Sequence, residues 1–231
     1  ARKWELGIQL HEEEVDPAKR RHGVRRVFST NMMRAAFAEF IGTLLFLFIT
    51  ITTARMVDDS SVIDPSGTRL MIAFAFGLTI FVLVYTLATA SGANLNPAVS
   101  MGLLVGRRIS LERFVIYVIS QCAGAIAGAA IASTFLPTTA GGANIIADGV
   151  KVEDAFGGEV LCTFLLVLVV FAATDGEMGR RLKHIQPTLP LAIGMAVCVD
   201  HLALIPVDGC SINPARTLGT SVTNNNFDDH W

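Results

Sequence analysis

Charge is scarce in this chain. Asp, Glu, Lys and Arg make up only 16% of its 231 residues, while 52% are hydrophobic. Soluble globular composition sits on the other side of both figures, so a solvated enzyme domain is excluded, and no nucleic-acid partner is expected. Cysteines are few and show no CxxC spacing. Cys122, Cys162 and Cys198 lie within apolar stretches and Cys210 stands alone, so no disulfide framework and no metal site follow from them. The GxSxG and HExxH signatures and an intramembrane aspartate pair are also missing, which leaves no sequence-visible nucleophile or metal-activating group. No enzyme activity, metal or cofactor is expected. No apolar run of the signal-peptide kind precedes the basic first 34 residues, which read as a cytoplasmic tail.

What the chain has in abundance is long apolar stretches. A membrane-spanning helix needs about 20 such residues, and five stretches qualify: 35–55, 69–90, 112–136, 156–175 and 187–207. Lys and Arg placement sets the orientation. With the N-terminus inside, fourteen of the eighteen basic residues are cytoplasmic: eight in the tail, then Arg107, Arg108 and Arg113, then Arg180, Arg181 and Lys183. The opposite loops carry Asp58, Asp59, Asp64, Asp148, Glu153 and Asp154. The chain is therefore an integral membrane protein with the lipid bilayer as its surroundings.

Two shorter apolar runs, 97–105 and 214–222, can cross only half a bilayer. Each begins with the same tripeptide, Asn96-Pro97-Ala98 and Asn213-Pro214-Ala215, after a small-residue turn (Ser91-Gly92-Ala93 and Gly209-Cys210-Ser211). Proline is tolerated at the first helical position and asparagine is a preferred cap before it. Each copy thus reads as the capped start of a half-length helix, and paired short hydrophobic segments point to a transport site.

The halves repeat. Ala38-Glu39-Phe40-Ile41-Gly42-Thr43 opens the first span and Gly158-Glu159-Val160-Leu161-Cys162-Thr163 the fourth; 57 residues separate Glu39 from Asn96 and 54 separate Glu159 from Asn213. Three spans and a half-helix make an odd count, so the second unit inserts inverted, with the functional site at the interface of the halves near the midplane. Repeat one is expected over 35–137 and repeat two over 155–231, together one channel domain, 35–231. The repeat calls for a sixth span, which is absent from this chain, and truncation is the expected reason.

The segments SGANLNPAV and GCSINPAR resemble the two signature loops of the aquaporin (major intrinsic protein) family. AEFIGTLLFLFIT, FVLVY, GRRISLERF, YVISQCAGAI, FAATD and HLALIP are similar to its plant plasma-membrane subfamily. The resemblance implies an all-α right-handed bundle of six spans plus two half-helices, a homotetramer in the plasma membrane, and passive, bidirectional, single-file water conduction that excludes protons and ions. Other small neutral solutes (hydrogen peroxide, ammonia, carbon dioxide, glycerol) are the alternative cargo. It also implies a selectivity filter of Phe76, His201, Cys210 and Arg216, with Arg216 and His201 donating hydrogen bonds and Phe76 narrowing the opening. Thr217 stands where glycerol-conducting relatives usually have Asp. Cys210 departs from the subfamily's usual Thr and predicts block by mercurials.

Independently of family, Asn96 and Asn213 offer side-chain amides to a water oxygen, and the half-helix N-termini add positive potential that repels cations. Glu39 and Glu159 are expected to brace the non-helical loops before each Asn. Gly124 and Gly128 form a GxxxG pair suited to close helix packing. Two residues are gating candidates by resemblance: His184, at the spacing of the subfamily's pH-sensing histidine, and Ser110, like its phosphorylated loop serine; a solvated histidine and a chance RRxS remain open for each. Glu12, Glu13, Glu14 and Asp16 read as a solvated tail. Asp200, out of place in an apolar span, is expected to pair across a subunit interface or tune His201.

Overall fold

A computed structural model describes residues 29–58, 65–135, 142–175 and 188–228; the N-terminal tail through residue 28 and His184 lie outside them. The described residues form seven helices: α1 Thr30–Asp58, α2 Pro65–Ser91, α3 Pro97–Val105, α4 Leu111–Phe135, α5 Val152–Ala173, α6 Leu189–Asp208 and α7 Pro214–Asn224. Five of them, α1, α2, α4, α5 and α6, are long and apolar enough to cross a membrane. α3 and α7 begin at the positions expected from the Asn-Pro pairs, because the cap and the proline fix the start. The long helices overrun the expected limits at several ends. α1 starts at Thr30, where the Ser29 hydroxyl accepts the Met32 N–H at 3.2 Å, well before the apolar run begins.

Large apolar side chains face outward on every span, among them Phe37 and Ile49 of α1, Val82 of α2, Ile119 of α4, Phe164 and Leu168 of α5, and Met195 of α6. In lipid this costs nothing, whereas backbone polar groups must be satisfied internally, which a helix does. Buried hydroxyls follow the same rule: Thr43 and Thr50 donate to the carbonyls of Glu39 and Phe46, one turn back, at 2.8 and 2.7 Å.

Without a hydrophobic drive between helices, association rests on close packing through small residues. α1 packs along α4 and α2 along α6. A Cβ on Gly124 would lie 2.3 Å from the Phe40 carbonyl oxygen, and one on Gly128 would lie 2.2 Å from that of Leu44. The GxxxG pair is therefore spent inside the protomer, against α1, and is not a subunit contact. At the α2–α6 crossing Gly77 meets Gly194, with a Cβ on either falling within 2.6 Å of the other's carbonyl oxygen. α4 also lies along α7, while α3 touches α4, α5 and α7. The half-helices are thus held in the middle of the bundle by the spans around them.

Candidate functional site

The turns before the two half-helices share one backbone. Gly92, Ala93 and Leu95 have φ of 94°, 49° and 53°; Gly209, Cys210 and Ile212, at the corresponding places, have 84°, 55° and 47°. Non-glycine residues in the left-handed region cost roughly 1–3 kcal/mol each and persist only where the surroundings impose them. Here the imposition comes from the two glutamates. Glu39, fully buried, accepts the N–H groups of Asn94 at 3.0 Å and Leu95 at 2.7 Å. Glu159, half-buried, accepts those of Ser211 and Ile212, both at 2.6 Å. The left-handed residues turn two successive N–H groups onto one carboxylate, which a continuous helix could not do.

Sequence reasoning missed the groups around these carboxylates. The Ser91 hydroxyl donates to Glu39 at 2.6 Å and accepts the Ala93 N–H at 2.9 Å. Asp208 takes its place in the second half and accepts the Cys210 N–H at 2.9 Å. Gln121 donates to Glu39 at 2.8 Å and to Ser100 at 3.0 Å, and the Tyr117 hydroxyl donates to the Ser91 carbonyl at 2.5 Å. A signal existed: Tyr117 and Gln121, four apart, put polar groups on one face of an otherwise apolar span. Glu159 and Asp208 also border a cavity of about 540 Å³ with Phe156, Val160 and Phe164 of α5.

The half-helices meet N-terminus to N-terminus. The Asn96 amide donates to the Ile212 carbonyl at 2.7 Å and the Asn213 amide to the Leu95 carbonyl at 2.9 Å. Each Asn thus grips the residue that precedes the other. Their side-chain oxygens cap their own helices, Asn96 through Ala98 N–H at 2.8 Å and Asn213 through Ala215 N–H at 3.1 Å. An amide carries two hydrogens. One is used in the clasp and the second remains.

Phe76, His201, Cys210 and Arg216, drawn from α2, α6, the second turn and α7, come together with no more than 2% exposure each. The Phe76 and His201 ring centroids are 4.1 Å apart, and the Arg216 guanidinium carbon is 5.5 Å from the Phe76 centroid. His201 Nδ1 lies 2.8 Å from the Val197 carbonyl. A carbonyl only accepts, so Nδ1 carries the proton and Nε2 of the neutral ring is an acceptor. This reverses the expectation that His201 donates. Neither that Nε2 nor Arg216 Nε has a hydrogen-bond partner among the described residues. One acceptor and one donor are left open in the same cluster. Arg216 NH1 donates to Asn144 Oδ1, and NH2 reaches the Gly209 carbonyl at 3.4 Å.

The remaining candidates fall elsewhere. Ser110 is exposed and caps α4, accepting the Arg113 N–H at 3.3 Å. Asp200 is 1% exposed inside the protomer, facing the Cys162 thiol of α5, with neither oxygen bonded to a nitrogen or hydroxyl among the described residues. Burial rules out the expected pairing across a subunit interface, and nothing else in the structure explains the residue.

Apolar spans enclosing two half-helices that meet at their N-termini, beside a buried arginine–histidine–phenylalanine cluster, define a polytopic α-helical membrane channel. Residues 26–231 match the model of the family described as Major intrinsic protein. The chain is 46% identical over 207 residues to Probable aquaporin PIP2-8 of Arabidopsis thaliana, covering 86% of this chain and 74% of that one. It is 44% identical over 210 residues to Probable aquaporin PIP1-2 of Oryza sativa subsp. japonica, covering 88% and 73%. An aquaglyceroporin from Plasmodium falciparum, solved by X-ray crystallography, superimposes with a TM-score of 0.74 at 21% identity over 84% of this chain and 81% of that one. The chain belongs to the major intrinsic protein family.

Proposed function

We propose that the protein is a water-selective channel of the plasma membrane, passive and bidirectional, and that it performs no covalent chemistry. The observation that carries this reading is the reciprocal clasp of Asn96 and Asn213. Each amide keeps one hydrogen where two helix N-termini converge. A water oxygen accepting from both amides has its own hydrogens turned away from the centre, toward the two mouths. The chain of water-to-water hydrogen bonds that a proton needs is interrupted at that point. About half a positive charge at each helix end repels cations there.

Phe76, His201, Cys210 and Arg216 act as the filter before that point. Arg216 donates to a passing water and His201 Nε2 accepts from it, replacing hydration lost in the constriction. Two rings packed beside Arg216, Phe76 and His201, give this filter bulk that favours water over glycerol. The aquaporin names of the relatives at 44–46% identity support the same assignment. Residues 35–231 form the channel domain in this reading, with residues 1–34 a cytoplasmic tail, and the protomer assembles as a homotetramer. Ser110 would place a phosphate among Arg107, Arg108 and Arg113 on the cytoplasmic side, and His184 belongs to the other cytoplasmic loop.

Stopped-flow shrinkage of proteoliposomes holding the full chain tests the proposal. Water permeability well above that of empty liposomes is expected, with little glycerol uptake; a rate equal to that of empty liposomes overturns it.

A further inference from the structure

We infer that Asn144, on the segment joining α4 to α5, is a positioning residue that holds Arg216 in the filter and so sets the discrimination between water and larger neutral solutes. The inference rests on the filter reading above. Arg216 is 2% exposed, at membrane depth, and its guanidinium needs acceptors that fix its direction. Asn144 Oδ1 is the one side-chain acceptor it has among the described residues, through NH1. The other guanidinium contact, NH2 to the Gly209 carbonyl, is a long 3.4 Å.

Asn144 is itself fixed in orientation. Its Oδ1 has two lone pairs, one taken by Arg216 and the other by the Thr217 hydroxyl at 3.1 Å. Both partners are donors, so the amide oxygen, and not the nitrogen, must face them. The backbone around it is tied to the end of α6: Ile145 N–H donates to the Asp208 carbonyl at 3.0 Å and Ala147 N–H to that of Val207 at 2.8 Å. Gly209 lets this strap approach, because a Cβ there would lie 2.9 Å from the Ala143 carbonyl oxygen. The strap is therefore fastened to the same turn that carries Cys210.

A competing pull exists. Glu159 and Asp208 both lie within electrostatic range of Arg216. Without the Asn144 acceptor, these carboxylates compete for the guanidinium, which is then no longer held at its 5.5 Å distance from the Phe76 ring. Asn144 thus acts through Arg216 and needs no contact with the permeant molecule.

The test compares Asn144→Ala, Asn144→Asp and the unaltered full chain in proteoliposomes, reading glycerol and water permeability on the same preparation. Asn144→Ala is expected to raise the glycerol-to-water ratio roughly ten-fold, the change in side-chain population that losing one hydrogen bond to a charged group allows. Asn144→Asp keeps an oxygen in the same place and should hold the ratio near the unaltered value. Asp also restores the volume, so Asn144→Leu, which fills similar space without an acceptor and should raise the ratio as Asn144→Ala does, separates a strut from a spacer. If Asn144→Ala does not reach the membrane, Asn144→Gln, which moves the acceptor by one methylene, is read in its place. An unchanged ratio in Asn144→Ala, or in Asn144→Gln where the alanine variant does not insert, overturns the inference, as does a raised ratio that Asp fails to restore. An unaltered chain that passes no water overturns the channel reading itself, a result separate from either.

Discussion

His201 shows how one hydrogen bond fixes the chemistry of a ring in the proposed filter. Its Nδ1 proton is committed to the Val197 carbonyl, so Nε2 faces the cluster as an acceptor, opposite the donors of Arg216. A water molecule donates and accepts at once, which suits one open acceptor beside one open donor. Replacing the ring tests this. His201→Ala removes both the acceptor and the surface that Phe76 packs against at 4.1 Å. Glycerol uptake by proteoliposomes is expected to rise roughly ten-fold or more while water still passes, because removing both a hydrogen-bonding group and bulk from a filter forfeits a few kcal/mol of discrimination. Glycerol uptake equal to that of the unaltered protein would remove His201 from the filter. The ring's place in the motif HLALIP was legible in the sequence. Its tautomer was not, because the partner is a backbone carbonyl one turn away, and every helical residue has one of those.

The half-helix starts were legible to the residue, since proline and an asparagine cap act locally. The turns before them were legible only as turns. Their left-handed residues are Ala93, Leu95, Cys210 and Ile212, none of which announces positive φ. The cause lies more than fifty residues away, in Glu39 and Glu159. Glu39→Ala should therefore destabilise by about 3–5 kcal/mol, since it strands the Asn94 and Leu95 N–H groups and the Gln121 amide together. Thermal unfolding in detergent reads the change, and a cost below about 1 kcal/mol would show that the turn holds itself. Glycines make a second contrast. Gly128→Val pushes a side chain against the Leu44 carbonyl and is expected to abolish folded protein on size-exclusion chromatography. Gly157→Ala in α5 meets nothing within 4 Å and should stabilise by about 0.5–1 kcal/mol. The GxxxG spacing marked Gly128 for close packing from sequence alone, and the structure supplies which helix it meets.

At the scale of the whole molecule, two halves of different sequence carry one backbone pattern, glutamate to strained turn to capped half-helix, and close it by the exchange of two amide hydrogens. The pairing of the halves was legible because the tripeptide and the glutamate recur. What Asn144 does was not legible, because its partners Arg216 and Thr217 lie more than seventy residues along the chain, and Asp208 was missed because a carboxylate there does what the Ser91 hydroxyl does in the first half. The convergence of the half-helices gives the last prediction. Their N-termini each contribute roughly half a positive charge, and the two side chains that make the clasp, Asn96 and Asn213, are themselves uncharged. Asn96→Asp places a carboxylate there. Aspartate caps a helix as well as asparagine does, so α3 should still start at Pro97. The amide donor to the Ile212 carbonyl is lost, however, and with it the donor that orients a water on that side. The added charge also cancels the potential that excludes cations. Proteoliposomes with an entrapped pH-sensitive dye and an imposed pH gradient read the outcome beside osmotic shrinkage. The unaltered protein is expected to pass water while the gradient persists, and Asn96→Asp to collapse the gradient several-fold faster while water flux continues. If the variant conducts water and holds the gradient as long as the unaltered protein, proton exclusion does not reside at the paired helix ends, and the filter around Arg216 must supply it.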